Sequence, residues 1–308
     1  MQVVILSARR GWHTDELCRA LSARGHVAVL LGYEGLVARL GGRRAEAGLT
    51  SERAAIFGAD AVLARIIPSG SLEQIIFRVD ALHWIEDRGV PVVNSPRAIE
   101  RSVDKFYTDA LLHEAGIETP ETIVCETTAD ALEAVRRFGD AVIKPIFGSM
   151  GHGLVRVSDV DVAFRILKAL DQSRAVFYVQ RYIAHGGRDI RVFVVGGRVI
   201  GAIERRAVDG DWRTNVARGA AAHPVDLPVE WERLALGAAA AVGADYAGVD
   251  LLPASDGRLF VLEVNGIPGW EGLQRATGLD VAGAIVEHVE HVVEKNVGAG
   301  VSRPVEPS

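Results

Sequence analysis

Short apolar runs alternate with amphipathic stretches through the first third of the chain, and this alternation constrains the fold more than any other feature. The apolar runs lie at 2–8, 26–31, 60–67 and 90–93, and the amphipathic stretches lie at 14–24 and 72–88. Strands that alternate with helices are typical of a parallel sheet with crossover helices. The sequence therefore predicts an open parallel α/β domain, with an exposed loop at Gly41–Arg44 between its halves.

A different pattern begins at Ser95, which is a suitable N-cap for a helix with Pro96 at its first position. A second helix is expected over 104–115. Further on, strands are expected at 122–125, 141–147, 154–157 and 176–183, and helices at 129–138 and 160–170. We therefore expect an N-terminal α/β domain over 1–95, a central α+β unit over 96–183, a second α+β unit over 184–297 and a flexible tail over 298–308.

Two β-hairpins are predicted in the last third of the chain, each from a two-residue turn signal. Gly196-Gly197 would join strands over 189–195 and 198–206, and Asp256-Gly257 would join strands over 246–255 and 258–265. Helices are expected over 229–242 and 280–295. In the first hairpin, the register would set Asp189 opposite Glu204 and Arg191 opposite Ala202.

The second hairpin carries the strongest chemical signal. Its register would place Asp250 opposite Glu263, and the strand period of two would place Asn265 on the same face. Facing carboxylates repel each other unless a cation lies between them, and oxygen ligands of this kind suit Mg²⁺ or Mn²⁺. A solvated strand face is the alternative, but both carboxylates stand among apolar residues, which favours the metal site.

A glycine-rich loop follows a predicted strand that ends in lysine. Ile143-Lys144-Pro145 leads into Gly148-Ser149-Met150-Gly151-His152-Gly153. Closely spaced glycines let backbone N–H groups approach phosphate oxygens, so the loop is predicted to cover phosphates. Its order differs from that of a Walker loop, and a glycine-rich hairpin turn is the alternative.

Arginines are concentrated in the first hairpin and in the loop after it, at positions 188, 191, 205, 206, 213 and 218. A guanidinium binds carboxylates and phosphates bidentately. The cluster therefore indicates a site for anionic groups, and a solvated basic face is the alternative.

Composition argues against several classes of function. The chain has 308 residues with 40 acidic and 34 basic side chains, a formal net charge of -6 and no basic block, so neither nucleic acid nor a membrane is expected as a partner. No apolar stretch reaches the ~20 residues that span a bilayer, and the apolar start is too short for a signal peptide. Cys18 and Cys125 are far apart and are expected to be reduced, as in a cytoplasmic protein.

These motifs resemble those of the ATP-grasp ligases, in particular the RimK-like α-L-glutamate ligases. The resemblance extends from residue 3 to the helix expected at 280. The segments that carry it stand in the family's order: Asp104-Lys105, Lys144-Pro145 with the glycine-rich loop, Gln180–Ile183, Asp189-Ile190-Arg191, Ala202–Arg206, Arg213-Thr214-Asn215, Ala247–Asp250, Leu262–Asn265 and Pro268-Gly269.

The resemblance implies an ATP-grasp fold, in which the two α+β units are subdomains that grip ATP. It implies phosphate contacts from Lys105, Lys144, Gly148, Ser149, Gly151 and Gly153. It implies an adenine pocket at Gln180, Arg181, Tyr182 and Ile183, and further nucleotide contacts from Asp189, Arg213 and Asn215. Two Mg²⁺ or Mn²⁺ ions would be held by Asp250, Glu263 and Asn265.

The resemblance also implies a reaction. An acceptor carboxylate would attack the γ-phosphorus of ATP to form an acylphosphate, and an amine would then displace phosphate to form an amide. Arg213, with Arg191 or Arg206, would stabilise the acylphosphate and the tetrahedral oxyanion. The expected amine is L-glutamate, the expected acceptor is a small cofactor or a protein C-terminus, and the expected assembly is a homo-oligomer.

One position departs from the family pattern. Arg181 stands where members that modify a ribosomal protein carry an acidic residue, which affects nucleotide preference if the side chain reads the base. The segments 147–149 and 211–215 are closer to those of the cofactor-modifying, tetrahydromethanopterin-type ligases. The alternatives are a glutathione-synthetase-like or amino-acid-carrier ligase and a non-catalytic nucleotide-binding regulator, against which the intact site residues argue.

Overall fold

The computed structural model of the protein describes residues 1–41, 47–148, 153–208, 211–214 and 221–298. Several predicted features lie outside the described residues, namely 42–44 of the expected loop, Ser149, Met150, Gly151, His152, Asn215, Arg218 and the tail beyond 298. None of the described helices is long and apolar enough to cross a membrane.

The secondary structure follows the predicted alternation. The strands are β1 Gln2–Ser7, β2 Val27–Gly32, β3 Leu36–Arg39, β4 Gly48–Ser51, β5 Ala54–Ala55, β6 Ala61–Ala64, β7 Val92–Val93, β8 Thr122–Cys125, β9 Ala141–Lys144, β10 Val155–Val157, β11 Phe177–Arg181, β12 Arg188–Val195, β13 Arg198–Arg206, β14 Ala221–Pro224, β15 Tyr246–Pro253 and β16 Leu259–Asn265. The helices are α1 Trp12–Ala23, α2 Leu72–Asp87, α3 Pro96–Val103, α4 Lys105–Glu114, α5 Thr128–Phe138, α6 Val160–Asp171, α7 Val229–Val242, α8 Glu271–Thr277 and α9 Val281–Gly298. The elements β3, β4, β5, β14 and α8 were not predicted.

The N-terminal part contains the expected parallel sheet, with strand order β2-β1-β6-β7. Its central strand β1 is buried from Val3 to Leu6, as both faces of a parallel sheet require. Helix α2 begins with a capping box between Ser71 and Gln74. The small antiparallel sheet β3-β4-β5 is an addition to this layer that the apolar pattern did not reveal.

The central part is an antiparallel sheet of order β10-β9-β11-β8, with α5 and α6 packed against it. The predicted cap is present, since Ser95 accepts a hydrogen bond from the Ala98 amide and Pro96 begins α3. Strand β9 ends at Lys144 rather than at 147, because Pro145 has no amide hydrogen to continue the ladder. The lysine therefore stands at the end of the strand, where the glycine-rich loop begins.

The C-terminal sheet has the order β14-β13-β12-β15-β16 and positions the charged residues. One face packs on α7 through residues such as Val192 and Val249. The other face is divided: Phe193 and Tyr246 join a core with the N-terminal sheet, and Asp189 and Asp250 are buried nearer the central sheet. Each predicted domain contains one of the three larger sheets, and the exact boundaries remain a prediction.

The predicted register of the first hairpin is wrong by one residue. The turn at Gly196-Gly197 is present, with Val195 opposite Arg198, but a bulge shifts the register between Phe193 and Val194. Asp189 therefore lies opposite Arg205 rather than Glu204, and Arg191 lies opposite Ile203 rather than Ala202. The extra residue in β13 turns Arg205 toward the face that carries Asp189.

The second hairpin brings Asp250 opposite Glu263, as predicted, although its turn differs from the expected one. The loop is longer, because the Ala254 amide donates to the Arg258 carbonyl, and Gly257 has a φ of +90°. Pro253 therefore pairs with Leu259, and a bulge between Leu251 and Asp250 restores the register at the carboxylates. The two irregularities compensate each other.

Candidate active site

A cleft that is open to solvent lies between the central and C-terminal sheets. It is lined by most of the predicted site residues, namely Lys105, Lys144, Gly148, Gln180, Arg181, Tyr182, Ile183, Asp189, Arg213, Asp250 and Glu263. Lysines from the central part thus face carboxylates from the C-terminal sheet, an arrangement that suits a phosphorylated ligand with a divalent cation.

Asp250 is held by two arginines at the floor of the cleft. Its Oδ1 and Oδ2 accept hydrogen bonds from Arg191 Nε at 2.6 Å and Arg191 Nη2 at 2.7 Å, and Arg205 Nη2 lies 2.9 Å from Oδ2. Burial disfavours the charged carboxylate, but Arg191 and Arg205 outweigh it and lower the pKa of Asp250 to about 2. Asp250 is therefore an anion at neutral pH.

Arg205 links Asp250 to the second buried carboxylate, Asp189. Arg205 Nε and Nη2 donate to the two oxygens of Asp189 at 2.7 and 2.6 Å, and the Thr214 hydroxyl also donates to Asp189. The Asp189 and Arg205 side chains are only 2% and 5% exposed. Buried charges need such pairing, because an uncompensated ion in a protein interior is strongly unfavourable.

Glu263 and Asn265 complete the predicted metal set. Glu263 lines the cleft and makes no side-chain hydrogen bond to another described residue. Asn265 pairs in register with Gly248, and its Oδ1 accepts from the Ile267 amide. Among the described residues no three His, Cys, Asp or Glu side chains form a metal-binding group. Two carboxylates and one amide fit Mg²⁺ or Mn²⁺ only with further oxygen ligands, such as nucleotide phosphates.

The two lysines occupy the opposite wall. Lys144 Nζ donates to Gln180 Oε1 at 2.6 Å, and Lys105 Nζ donates to the carbonyls of Ile146 at 3.1 Å and Gly148 at 2.7 Å. Burial lowers the pKa of Lys144 to about 8 and also lowers the pKa of Lys105. Lys105 therefore holds the start of the glycine-rich loop, and Gly153 at its other end lies against Pro145.

Tyr182, Trp212 and Arg181 line the part of the cleft where the adenine pocket was predicted. The guanidinium of Arg156 lies 3.5 Å from the ring centre of Tyr182, and Trp212 meets the same ring edge-on at 5.9 Å. Arg181 does not stand alone, because Arg181 Nη2 donates to Glu121 Oε2 at 2.7 Å. The Arg181 guanidinium is therefore engaged by Glu121, and Arg181 is the residue at which the chain departs from the family pattern.

The three arginines predicted to be catalytic have different surroundings. Arg213 lines the cleft and pairs with Asp211 at 2.9 Å. Arg191 lies beside Asp250 and is not part of the cleft lining. Arg206 is 63% exposed, pairs with Glu204 and borders a separate small depression with His223. The structure thus brings Arg213 to the cleft and places Arg206 away from it.

Sequence reasoning missed several residues of the site. Arg205 belonged to the predicted arginine cluster but was not among the predicted site residues. The predicted register set Asp189 opposite Glu204, whereas the structure sets Asp189 opposite Arg205. Thr214, His185 and Trp212 also line the cleft. Thr214 and Trp212 carried a weak signal, since both are adjacent to the predicted site residue Arg213. His185 carried none, and only the fold brings it to the cleft.

A model of the RimK-like ATP-grasp domain matches residues 102–289. A curated tetrahydromethanopterin:alpha-L-glutamate ligase of Methanosarcina acetivorans is 37% identical over 279 residues, covering 79% of this chain and 86% of that protein. A probable alpha-L-glutamate ligase of Trichodesmium erythraeum is 35% identical, covering 97% of this chain and 98% of that protein.

Solved structures show the same fold. The ATP-grasp ligase PsnB, complexed with a phosphomimetic variant of its minimal precursor, Mg and ADP, superposes with a TM-score of 0.74 at 21% identity. That match covers 94% of this chain and 98% of PsnB. A RimK domain protein from Sphaerobacter thermophilus superposes with a TM-score of 0.71 at 24% identity, covering 94% of this chain and 99% of that chain.

Proposed function

Since this chain belongs to the RimK-like ATP-grasp family and is an ATP-dependent ligase, we propose that it adds L-glutamate to a carboxylate of a small cofactor. The observation that carries the proposal is the cleft itself, in which Lys105 and Lys144 face Asp250 and Glu263. The names of the curated relatives support glutamate as the amine.

The residues of the cleft would have distinct roles. Lys105 and Lys144 would bind phosphates, the segment 180–183 would bind the base, and Asp250, Glu263 and Asn265 would hold Mg²⁺ or Mn²⁺. Bound between the phosphates and these ligands, divalent cations neutralise charge that develops as the γ-phosphoryl group moves. We propose two ions, because the resemblance to the ATP-grasp ligases implies that these three residues hold two metal ions.

The chemistry needs no nucleophile from the protein. A carboxylate oxygen of the acceptor attacks the γ-phosphorus and ADP leaves, and the glutamate nitrogen then attacks the acyl carbon and inorganic phosphate leaves. Arg213, which lines the cleft, would stabilise the acylphosphate and the tetrahedral oxyanion. Arg191 would act through Asp250, whereas the position of Arg206 does not favour a direct role.

The acceptor is proposed to be a pterin-type cofactor. Two curated relatives that support this are tetrahydromethanopterin:alpha-L-glutamate ligases, from Methanosarcina acetivorans and Methanococcus maripaludis. A protein C-terminus is the second candidate, because the solved structures of similar fold include ligases bound to precursor peptides.

The test is ADP release from Mg²⁺, ATP and L-glutamate, screened against a reduced pterin, other carboxylated cofactors and C-terminal peptides, with mass spectrometry of the products. A glutamyl mass gain on the pterin that requires ATP would support the proposal. Glu263→Gln serves as the inactive comparison, and Glu230→Gln, an exposed carboxylate on α7, serves as the matched control. Nucleotide binding without ADP or conjugate would favour a regulator, and a gain with another amine would favour an amino-acid-carrier ligase.

A further inference from the structure

A chain of buried polar side chains runs from helix α4 to Lys144. The Tyr178 hydroxyl donates to Asp109 Oδ2, Gln180 Nε2 donates to the Tyr178 oxygen at 3.1 Å, and Lys144 Nζ donates to Gln180 Oε1 at 2.6 Å. Tyr178, Gln180 and Lys144 are 1%, 2% and 9% exposed. Gln180 Nε2 also donates to Thr122 Oγ1 at 3.0 Å, so both the nitrogen and the oxygen of the Gln180 amide have partners.

The chemistry of these groups gives the chain a direction. Burial raises the pKa of Asp109, and the hydrogen bond from Tyr178 and the nearby charges of Lys144 and Lys105 oppose that effect. In its ionised form the carboxylate only accepts hydrogen bonds, so the Tyr178 hydroxyl must donate to it. The Tyr178 oxygen is then left as an acceptor, which requires the amide nitrogen of Gln180 to face it. The amide oxygen of Gln180 consequently faces Lys144, which has only donors to offer.

We propose that Asp109 and Tyr178 are positioning residues, which fix the ammonium of Lys144 for the phosphates through the orientation of the Gln180 amide. This inference rests on the proposed role of Lys144 in binding phosphates. Asp109 lies one helical turn after Lys105 on α4, so the same helix carries one phosphate lysine and orients the other. Neither Asp109 nor Tyr178 lines the cleft.

A purely structural role for the chain is a weaker explanation. A buried pair of charged groups often stabilises a fold no more than well-packed apolar residues of similar volume do. Lys144 also lies 5.6 Å above the ring centre of Tyr178, and the carboxylates of Asp109 and Glu263 oppose the effect of burial on the Lys144 pKa. Asp109 and Tyr178 thus hold the ammonium of Lys144 in place and also favour its charged form.

The experiment measures binding of the β,γ-imido analogue of ATP with Mg²⁺ by calorimetry, and kcat and KM for ATP in the ADP-release assay that tests the proposed function. Tyr178→Phe removes the hydroxyl and keeps the ring, and Asp109→Asn keeps the shape. Each is expected to weaken analogue binding about tenfold, because one buried charge-assisted bond is lost or misdirected. Tyr107→Phe, which alters an exposed tyrosine on the same helix, is expected to bind as the wild type does.

A double-mutant cycle separates positioning from general damage. In the Lys144→Met background, Tyr178→Phe is expected to have no further effect on analogue binding, because its action passes through the missing ammonium. Thermal unfolding of every variant controls for folding, and Tyr178→Phe carries the test if Asp109→Asn does not fold.

Two outcomes would overturn the inference: unchanged binding in Tyr178→Phe, or an equal loss with and without Lys144. A wild-type protein that does not bind the analogue at all would instead overturn the proposed function. A wild type that binds, with Lys144→Met binding equally well, would overturn the role of Lys144 and with it the positioning.

Discussion

Lys144 is a buried amine whose charge depends on its surroundings. Burial lowers its pKa to about 8, Asp109 and Glu263 oppose that effect, and Lys105 adds to it. Deprotonation as the pH rises through about 8 would remove the cation that we propose to bind the phosphates. Binding of an ATP analogue is therefore expected to weaken above that pH.

The measurement is the dissociation constant of the analogue, by calorimetry, from about pH 7 to about pH 9.5. In Lys144→Arg the guanidinium stays protonated over this range, so the weakening is expected to disappear even if binding is poorer throughout. The same alkaline loss in both proteins would assign it to another group. Binding is measured rather than turnover, because the amine substrate itself loses a proton at high pH.

At the scale of the element, the bulge in β13 decides which arginine is buried. Arg205 compensates Asp189 and Asp250, whereas its neighbour Arg206 is 63% exposed. Arg205→Leu leaves two buried carboxylates without this partner and is expected to lower the free energy of unfolding by about 3–5 kcal/mol. Arg206→Leu is expected to change it by no more than about 0.5 kcal/mol.

Denaturant unfolding of both variants, monitored by far-ultraviolet circular dichroism, checks this pair. The two substitutions are chemically identical and adjacent in sequence, so their difference reports only the face on which each residue lies. Equal losses would contradict the observed register, and a larger loss in Arg206→Leu would support the register that the turn alone predicts.

The two hairpins show what local sequence can and cannot predict. Turn residues and strand periodicity predicted both hairpins and the pairing of Asp250 with Glu263. They missed the bulges, because an extra residue in one strand is selected by packing against the neighbouring strand and helix rather than by its own sequence. The pairing of Asp189 with Arg205 was therefore missed, and that of Asp250 with Glu263 was obtained only because the longer loop compensates the second bulge.

At the scale of the whole molecule, the N-terminal sheet and the C-terminal sheet share one apolar core. Ile5 and Leu17 belong to it from the first part of the chain, and Phe193, Trp270 and Ile285 from the last. The sequence predicted a helix over 280–295 but not the docking of α9 against α1. Periodicity can identify the apolar face of a helix, but it does not identify the partner that covers this face.

This shared core predicts that damage in α9 spreads to the N-terminal part. Ile285→Ala is expected to cost about 2–5 kcal/mol, as for other large-to-small changes in a core. Amide hydrogen exchange should increase in β1 and in β12 together, although the two strands are far apart in the sequence. Val297→Ala, at a position 65% exposed on the same helix, is the control. Increased exchange confined to α9 would contradict a shared core.

The balance of charge in the cleft predicts the order in which its ligands bind. Lys105, Lys144, Arg181, Arg205 and Arg213 line the cleft, against the carboxylates of Asp189, Asp250 and Glu263. Arg191 and Arg205 are both paired with the carboxylate of Asp250. Glu263 is therefore the carboxylate best placed to bind a metal ion. A lone divalent cation therefore meets a basic site, whereas a triphosphate is attracted and then supplies the missing oxygen ligands.

Binding of Mn²⁺, followed by electron paramagnetic resonance, is accordingly expected to be weak in the free protein and at least about tenfold tighter with a non-hydrolysable ATP analogue present. Linkage requires Mn²⁺ to tighten binding of the analogue by the same factor, which calorimetry measures independently. Glu263→Gln should abolish the coupling, and Glu230→Gln should preserve it. Tight Mn²⁺ binding without nucleotide would contradict this prediction. It would show that Asp250 can bind a metal ion despite its arginine partners, and that the metal site does not need the phosphates.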